Sequence, residues 1–165
     1  MHVQLYAGDD YFVEERNEYS ELYAKIAGVE PIVVPSLEEA FAQRASLKIV
    51  LIARAARAAE YVRTVQTLCG SDAYVTRSLP EFIEVLNPSV DKGEALEFVC
   101  RHLGISLLDV IAIGDSWNDA PLLDAAGFGI AMGSAPPELR SHADAVVADV
   151  EHDGVAEAIH KYVLP

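Results

Sequence analysis

The stretch VIAIGDSWNDAPLL, Val110 to Leu123, decides the fold. It opens as a continuous apolar run ending at Gly114, the texture of a strand covered on both faces of a parallel sheet. The run breaks at Asp115, and Asp119 follows just before a second apolar run. Strand, tight turn and helix in that order form a βα unit, and in open α/β sheets ligands bind outside the carboxyl ends of the strands. Asp115 stands at such an end. A carboxylate there needs hydrogen bonds or a metal to offset its desolvation. The two carboxylates together make a hard-oxygen pair that can hold Mg²⁺ directly or through water. Ser116-x-x-Asp119 before an apolar run also fits a capping box, so the spacing alone leaves Asp119 open between ligand and cap.

The same texture extends over the C-terminal half. Helices are predicted over 92–103, 117–126, 136–141 and 154–162, with strands at DVIAIG, FGIAM and DAVVA; strands alternating with helices indicate a parallel sheet. The preceding residues read as a different, α+β unit. Its strands are HVQLY and YFVEE around a Gly8-Asp9-Asp10 turn, then PIVVP, LKIVLIA, AYVT and FIEVL. Its helices are predicted over 17–27, over SLEEAFAQ opened by Ser36 and Glu39, and over 55–69 closed by Gly70. The boundary falls near Asn87-Pro88, giving domains 1–87 and 88–165.

At 165 residues and 52% hydrophobic, the chain can bury a core. A net charge of −14 excludes nonspecific nucleic-acid binding, which needs a basic face. An acidic protein that handles phosphate must bring a cation. No apolar run reaches membrane-spanning length and no secretory leader is visible, so the expectation is a cytoplasmic protein with neither a membrane nor a nucleic-acid partner. Cys69 and Cys100 lack metal-ligand spacing and are read as reduced, partly buried thiols. The five His residues are scattered and expected on surfaces or loops. GFGIAMG lacks dinucleotide-fingerprint spacing, so its glycines are assigned to turns.

Lys92 is the second signal. In NPSVDKGEALEFVC, Asp91 and Glu94 fit an N-cap and its partner, which puts Lys92 in a helix's first turn. A cation there opposes the helix dipole by about 0.3–1 kcal/mol, so an anion held at that N-terminus would compensate. A solvated surface lysine is the alternative.

Lys92-Gly93 opening a helix, IGDSWNDAPLL some twenty residues on, and the tail AGFGIAMGSAPPELRSHADAVVADVEHDGVAEAI together resemble the C-terminal half of a haloacid dehalogenase (HAD) superfamily phosphatase of the Cof-type, subfamily IIB, with a C2-type cap. The resemblance covers residues 82–162, and the first half is similar, more loosely, to that branch's cap. It implies an α/β fold: a Rossmann-like three-layer core beside an α+β cap. It further implies that Lys92 binds the transferring phosphoryl group, that Asn118 contacts phosphate or orients its neighbours, and that Asp115 and Asp119 hold Mg²⁺, the latter directly or through water. The implied substrate is a small phosphorylated metabolite such as a sugar phosphate or phosphoglycolate.

The pattern is incomplete. The family's nucleophile comes from an Asp-x-Asp motif on the first core strand, and no such motif is present; Asp9-Asp10 in YAGDDYF lies where the cap's opening hairpin belongs. The expected core therefore lacks its first strand, and the strand ending in Asp115 would have a bare edge, which invites pairing with another chain. Three explanations compete: a fragment of a longer protein, a start misplaced at an internal Met1, or a short chain that pairs edges in a homodimer. Little turnover is expected of this chain alone. The alternative function is a catalytically silent HAD-like module that dimerises or binds a phosphorylated ligand. A receiver-like signalling domain has its Asp and Lys in the opposite order. Trp117 beside the site and Tyr6, Arg16, Tyr23 and Lys48 in the cap are further candidates for substrate contact.

Overall fold

A computed structural model describes residues 1–164; Pro165, the last residue of the second expected domain, lies outside them. The chain divides into two compact units, Met1–Pro88 and a second that begins at Ser89.

The first unit is a six-stranded sheet with three helices. In chain order these are β1 (His2–Ala7), β2 (Asp10–Val13), α1 (Glu18–Ala27), β3 (Ile32–Val33), α2 (Leu37–Phe41), β4 (Ile49–Ile52), α3 (Ala55–Cys69), β5 (Tyr74–Leu79) and β6 (Phe82–Leu86). The sheet order is β3-β2-β1-β4-β6-β5, antiparallel except where β3 joins β2. Gly8, at φ 61°, turns β1 into β2, a conformation that costs glycine little. Strand alternation sorts the side chains. Val50, Ile52 and Phe82 lie with Tyr19 and Tyr23 of α1, whereas Leu51, Val75 and Ile83 lie with Ala58, Val62 and Val65 of α3. Both faces are thus buried, which explains why His2, expected at the surface, is only 6% exposed: it turns under α1 and stacks on Tyr19 at 6.4 Å.

The second unit is a three-layer α/β arrangement. Its elements are α4 (Lys92–Leu103), β7 (Ile111–Gly114), α5 (Ala120–Ala125), β8 (Phe128–Ala131), α6 (Pro137–Arg140), β9 (Ala145–Val146) and α7 (Gly154–Ala158). β7, β8 and β9 form a parallel sheet in that order. One face presents Ala112 and Ala131 to Leu123 of α5 and Leu139 of α6. The other presents Ile111, Ile113, Phe128 and Ile130 to Ala158 and Tyr162. β7 pairs only with β8 among the described residues, so its other edge has no strand partner there.

Two helices expected to be continuous are divided. Residues 117–119 form a 3₁₀ turn and α5 starts at Ala120, because Pro121 has no N–H to give an α-helix begun at Trp117 but fits the first turn of a new one. α7 passes into a wider π turn at Ile159–Val163, where Leu164 N–H reaches Ile159 O at 2.9 Å. No helix among the described residues is long and apolar enough to cross a membrane.

Leu123, 2% exposed between α5 and the sheet, and Leu108, 85% exposed, make a paired test of this packing. Leu123→Ala should cost about 2–5 kcal/mol and Leu108→Ala less than about 0.5 kcal/mol in urea unfolding. Equal losses would contradict the assigned core.

Candidate active site at the end of strand β7

Gly114 ends β7 against Asp119: a Cβ on Gly114 would lie 2.6 Å from the Asp119 Cβ, so only glycine lets the strand end approach the turn this closely. Asp119 is 4% exposed. Its Oδ2 accepts from the N–H groups of Asp115 (2.9 Å) and Ser116 (3.0 Å), closing the turn as a capping residue does. Its Oδ1 accepts from the Lys92 ammonium. One carboxylate therefore ties the first residue of α4 to the end of β7.

Lys92 reaches Asp119 because α4 starts close to α5. Asp91 caps α4 by accepting from Glu94 N at 2.9 Å. The next residue but one, Gly93, has Pro121 O where a Cβ would stand, 2.5 Å away. The anion that the position of Lys92 calls for is thus provided within the chain, by Asp119. Burial by itself would raise the Asp119 pKa, but the Lys92 ammonium and the two N–H groups outweigh it and hold the carboxyl below its ordinary value.

Asp115 differs from Asp119. Its carboxylate is exposed and lines a cavity of about 350 Å³ with Ile113, Gly114, Met132, Ser134, Val150 and Val155. Asn118, between the two carboxylates in sequence, has its Oδ1 buried with no hydrogen-bond partner among the described residues. A buried acceptor left open calls for a donor. Lys92 and Asp119 are therefore in contact, and Asp115 is joined to them through its backbone while the residue itself stays exposed.

Ser134 was not singled out by sequence reasoning. Its turn is fixed by Arg140, whose Nε donates to Ala135 O (2.8 Å) and whose Nη2 donates to Gly133 O. Ser134, separated by Ala135 from Pro136 and Pro137, carries no motif that would have marked it. In the first unit, Tyr6 and Tyr23 join Tyr11 in one aromatic cluster, Lys48 pairs with Glu84 at 3.2 Å, and Arg16 is engaged by Glu21 and Glu30. Asp9 and Asp10 sit at the β1–β2 turn. Cys69 and Cys100 are free thiols.

The residues present fit Mg²⁺ in one mode. Mg²⁺ keeps several waters and takes one or two protein carboxylates, and among the described residues no group of three His, Cys, Asp or Glu gathers as a closed cage. An exposed Asp115 at a cavity mouth suits that water-rich coordination. Asp119, with both oxygens engaged, suits contact through water.

The sequence profile of the haloacid dehalogenase-like hydrolases matches residues 1–159. A phosphoglycolate phosphatase of Methanothermobacter thermautotrophicus is 46% identical over 81 residues, 49% of this chain and 37% of that protein. An HMP-PP phosphatase of Cronobacter sakazakii is 45% identical over 78 residues, 47% of this chain and 28% of that protein. A haloacid dehalogenase-like hydrolase of B. subtilis superposes with TM-score 0.83 at 22% identity, covering 99% of this chain and 65% of its own. A HAD subclass IIB sugar phosphatase superposes at 0.79 and 24% identity, covering 96% and 59%. The chain thus spans less than two thirds of the length of each.

Because its folded pKa lies below the unfolded value of 3.8, Asp119 contributes stability that is full above that value and lost as pH falls through the folded one. Asp119→Asn should cost about 1–3 kcal/mol near neutral pH, the penalty of leaving buried donors poorly paired. In urea unfolding the gap to wild type should narrow as pH falls below 3.8; a gap that stays constant on acidification would mean that the carboxylate is not the acceptor described.

Proposed function

The chain belongs to the haloacid dehalogenase-like hydrolase family, and from that premise we propose that it provides the metal- and phosphate-holding part of a Cof-type, Mg²⁺-dependent phosphatase for a small phosphorylated metabolite. The observation that carries the reading is the convergence of Lys92, Asp119 and Asp115 at one strand end. A sugar phosphate or a phosphoglycolate-like compound is the substrate class that the similar phosphatases favour.

On this reading the residues divide the work. Asp115 holds the metal, which when bound neutralises charge on the phosphoryl oxygens. Lys92, 49% exposed at its side chain although paired, offers its remaining donors to those oxygens. Asp119 holds Lys92 and the turn in place and would contribute to holding the metal through water. Asn118 orients the group that satisfies its Oδ1. Phosphoryl transfer draws chiefly on such positioning and charge stabilisation.

The attacking group is not among these residues. The edge of β7 (Ile111–Gly114) that has no strand partner among the described residues is where an additional parallel strand would bring a carboxylate beside Asp115, and the 165 residues on their own should turn over little. A second reading, a silent module that dimerises through that edge, draws on the same observation, since an unpaired strand edge invites pairing.

Incubation with p-nitrophenyl phosphate, phosphoglycolate and sugar phosphates in Mg²⁺ separates these readings. The expected result is negligible turnover by a monomer that gains Mg²⁺-dependent activity when produced with an upstream segment carrying Asp-x-Asp, and loses it again with Asp115→Asn. A monodisperse dimer by light scattering, inactive with or without that segment, would favour the silent module. Robust activity of the 165 residues alone, lost with Asp115→Asn, would keep the phosphatase and overturn the statement about the nucleophile.

A further inference from the structure

The first unit holds a buried histidine that the proposed chemistry does not use. Asn17 caps α1, its Oδ1 accepting from the amides of Tyr19 (3.0 Å) and Ser20 (3.3 Å). Those two donors fix which way the Asn17 amide faces, so its Nδ2 is the atom turned to His2 Nδ1, 3.1 Å away, and to Glu15 Oε1, 3.2 Å away. An amide NH₂ only donates. His2 Nδ1 must therefore present its lone pair, which leaves the single proton of the neutral ring on Nε2.

The other side of the ring agrees with that tautomer. His2 Nε2 and Gln4 Oε1 are both buried without a hydrogen-bond partner among the described residues. They belong to alternate residues of β1, which share a face of the sheet. One is a donor and the other an acceptor. Gln4 Nε2 is taken by the Tyr6 hydroxyl, which leaves Oε1 as the free end of the Gln4 amide. A second ring proton would have to go on Nδ1, where it would point at the Asn17 NH₂, donor against donor, in a site only 6% exposed.

We propose that His2 and Asn17 form an acid-sensitive latch on α1, in which the neutral ring holds the capping amide of the helix and protonation of Nδ1 releases it. Release removes the acceptor of the Tyr19 and Ser20 amides and loosens the first turn of α1. That turn carries Tyr19, which with Tyr23 covers Val50, Ile52 and Phe82, so the latch controls access to the aromatic layer under α1.

The groups around the ring set the sense of the response. Burial, the largest influence, disfavours the charged ring and Glu15 favours it; Glu14 lines the same cavity as the ring and Glu15. Gln4 faces the ring from its own strand, Tyr19 stacks on it from α1, and Ile52, its partner on β4, is apolar. Arg54 and Arg57 at the start of α3 share a cavity wall with Met1 and Tyr19. The folded pKa is lowered from 6.5, so the closed latch is fully stable above that pH and weakens as pH falls from it toward the folded value.

Hydrogen exchange of the Tyr19 and Ser20 amides, measured by NMR on the full chain between about pH 7.5 and pH 5 and corrected for intrinsic rates, tests the latch. The opening constant should rise as pH falls, by as much as tenfold for each unit by which the ring's pKa lies below its free value. His2→Asn, which keeps an acceptor near the Nδ1 position and cannot titrate, should flatten the dependence. Flat wild-type exchange, or the same slope in His2→Asn, would overturn the proposal. Ring ¹⁵N shifts of the wild type give a reading that needs no variant: a neutral ring protonated on Nδ1 would equally overturn it.

Discussion

The second unit depends on one buried carboxylate. Asp119 accepts from the Lys92 ammonium with one oxygen and from two backbone N–H groups of the β7–α5 turn with the other. Burying a charge is tolerated only when it is paired and hydrogen-bonded, and here every partner comes from an element that has to be in place. Gly114 lets the strand end meet Asp119, Gly93 lets α4 approach Pro121, and Pro121 starts α5 where it does. Substituting either glycine would push apart the elements whose contact makes the site.

The same interaction separates the two carboxylates of the sequence motif. Burial and three donors commit Asp119 to structure and to Lys92, while Asp115, four residues earlier, remains exposed at the cavity mouth. Identical side chains thus acquire different chemical prospects from environment alone. The proposed division of labour, with Asp115 toward the metal and Asp119 toward the lysine, follows from that difference. In the proposed arrangement the Lys92 ammonium and a Mg²⁺ held by Asp115 would offset, at one strand end, the overall charge of −14 that otherwise repels a phosphoryl group.

Much of this was legible in the sequence for specific reasons. The helices at 55–69 and 92–103 match the structure to the residue, because each ends at a glycine after a clear amphipathic run. Continuous apolar runs located β7 and β8. The split of the helix expected over 117–126 was visible in principle, since Pro121 cannot continue a helix begun at Trp117, but the apolar periodicity outweighed it. The burial of His2 was not legible: its strand has both faces covered, and a polar residue on a buried face looks the same in sequence as one on a wet face. Asp119 fitted both a cap and a ligand, and only the folded structure brings Lys92 to the carboxylate that caps the turn. Ser134 carries no local signal at all, because its place at the cavity follows from Arg140 fixing a turn whose residues lie far from Asp115 in sequence.

A Mg²⁺ titration followed by backbone amide NMR of the wild type, Asp115→Asn and Asp119→Asn addresses the central claim most directly. The account predicts saturable shifts centred on Gly114–Ser116 that vanish in Asp115→Asn while the Lys92–Asp119 contact persists, and that survive, weakened, in Asp119→Asn. Undiminished Mg²⁺ binding by Asp115→Asn, or Mg²⁺ displacing Lys92 from Asp119, would contradict it.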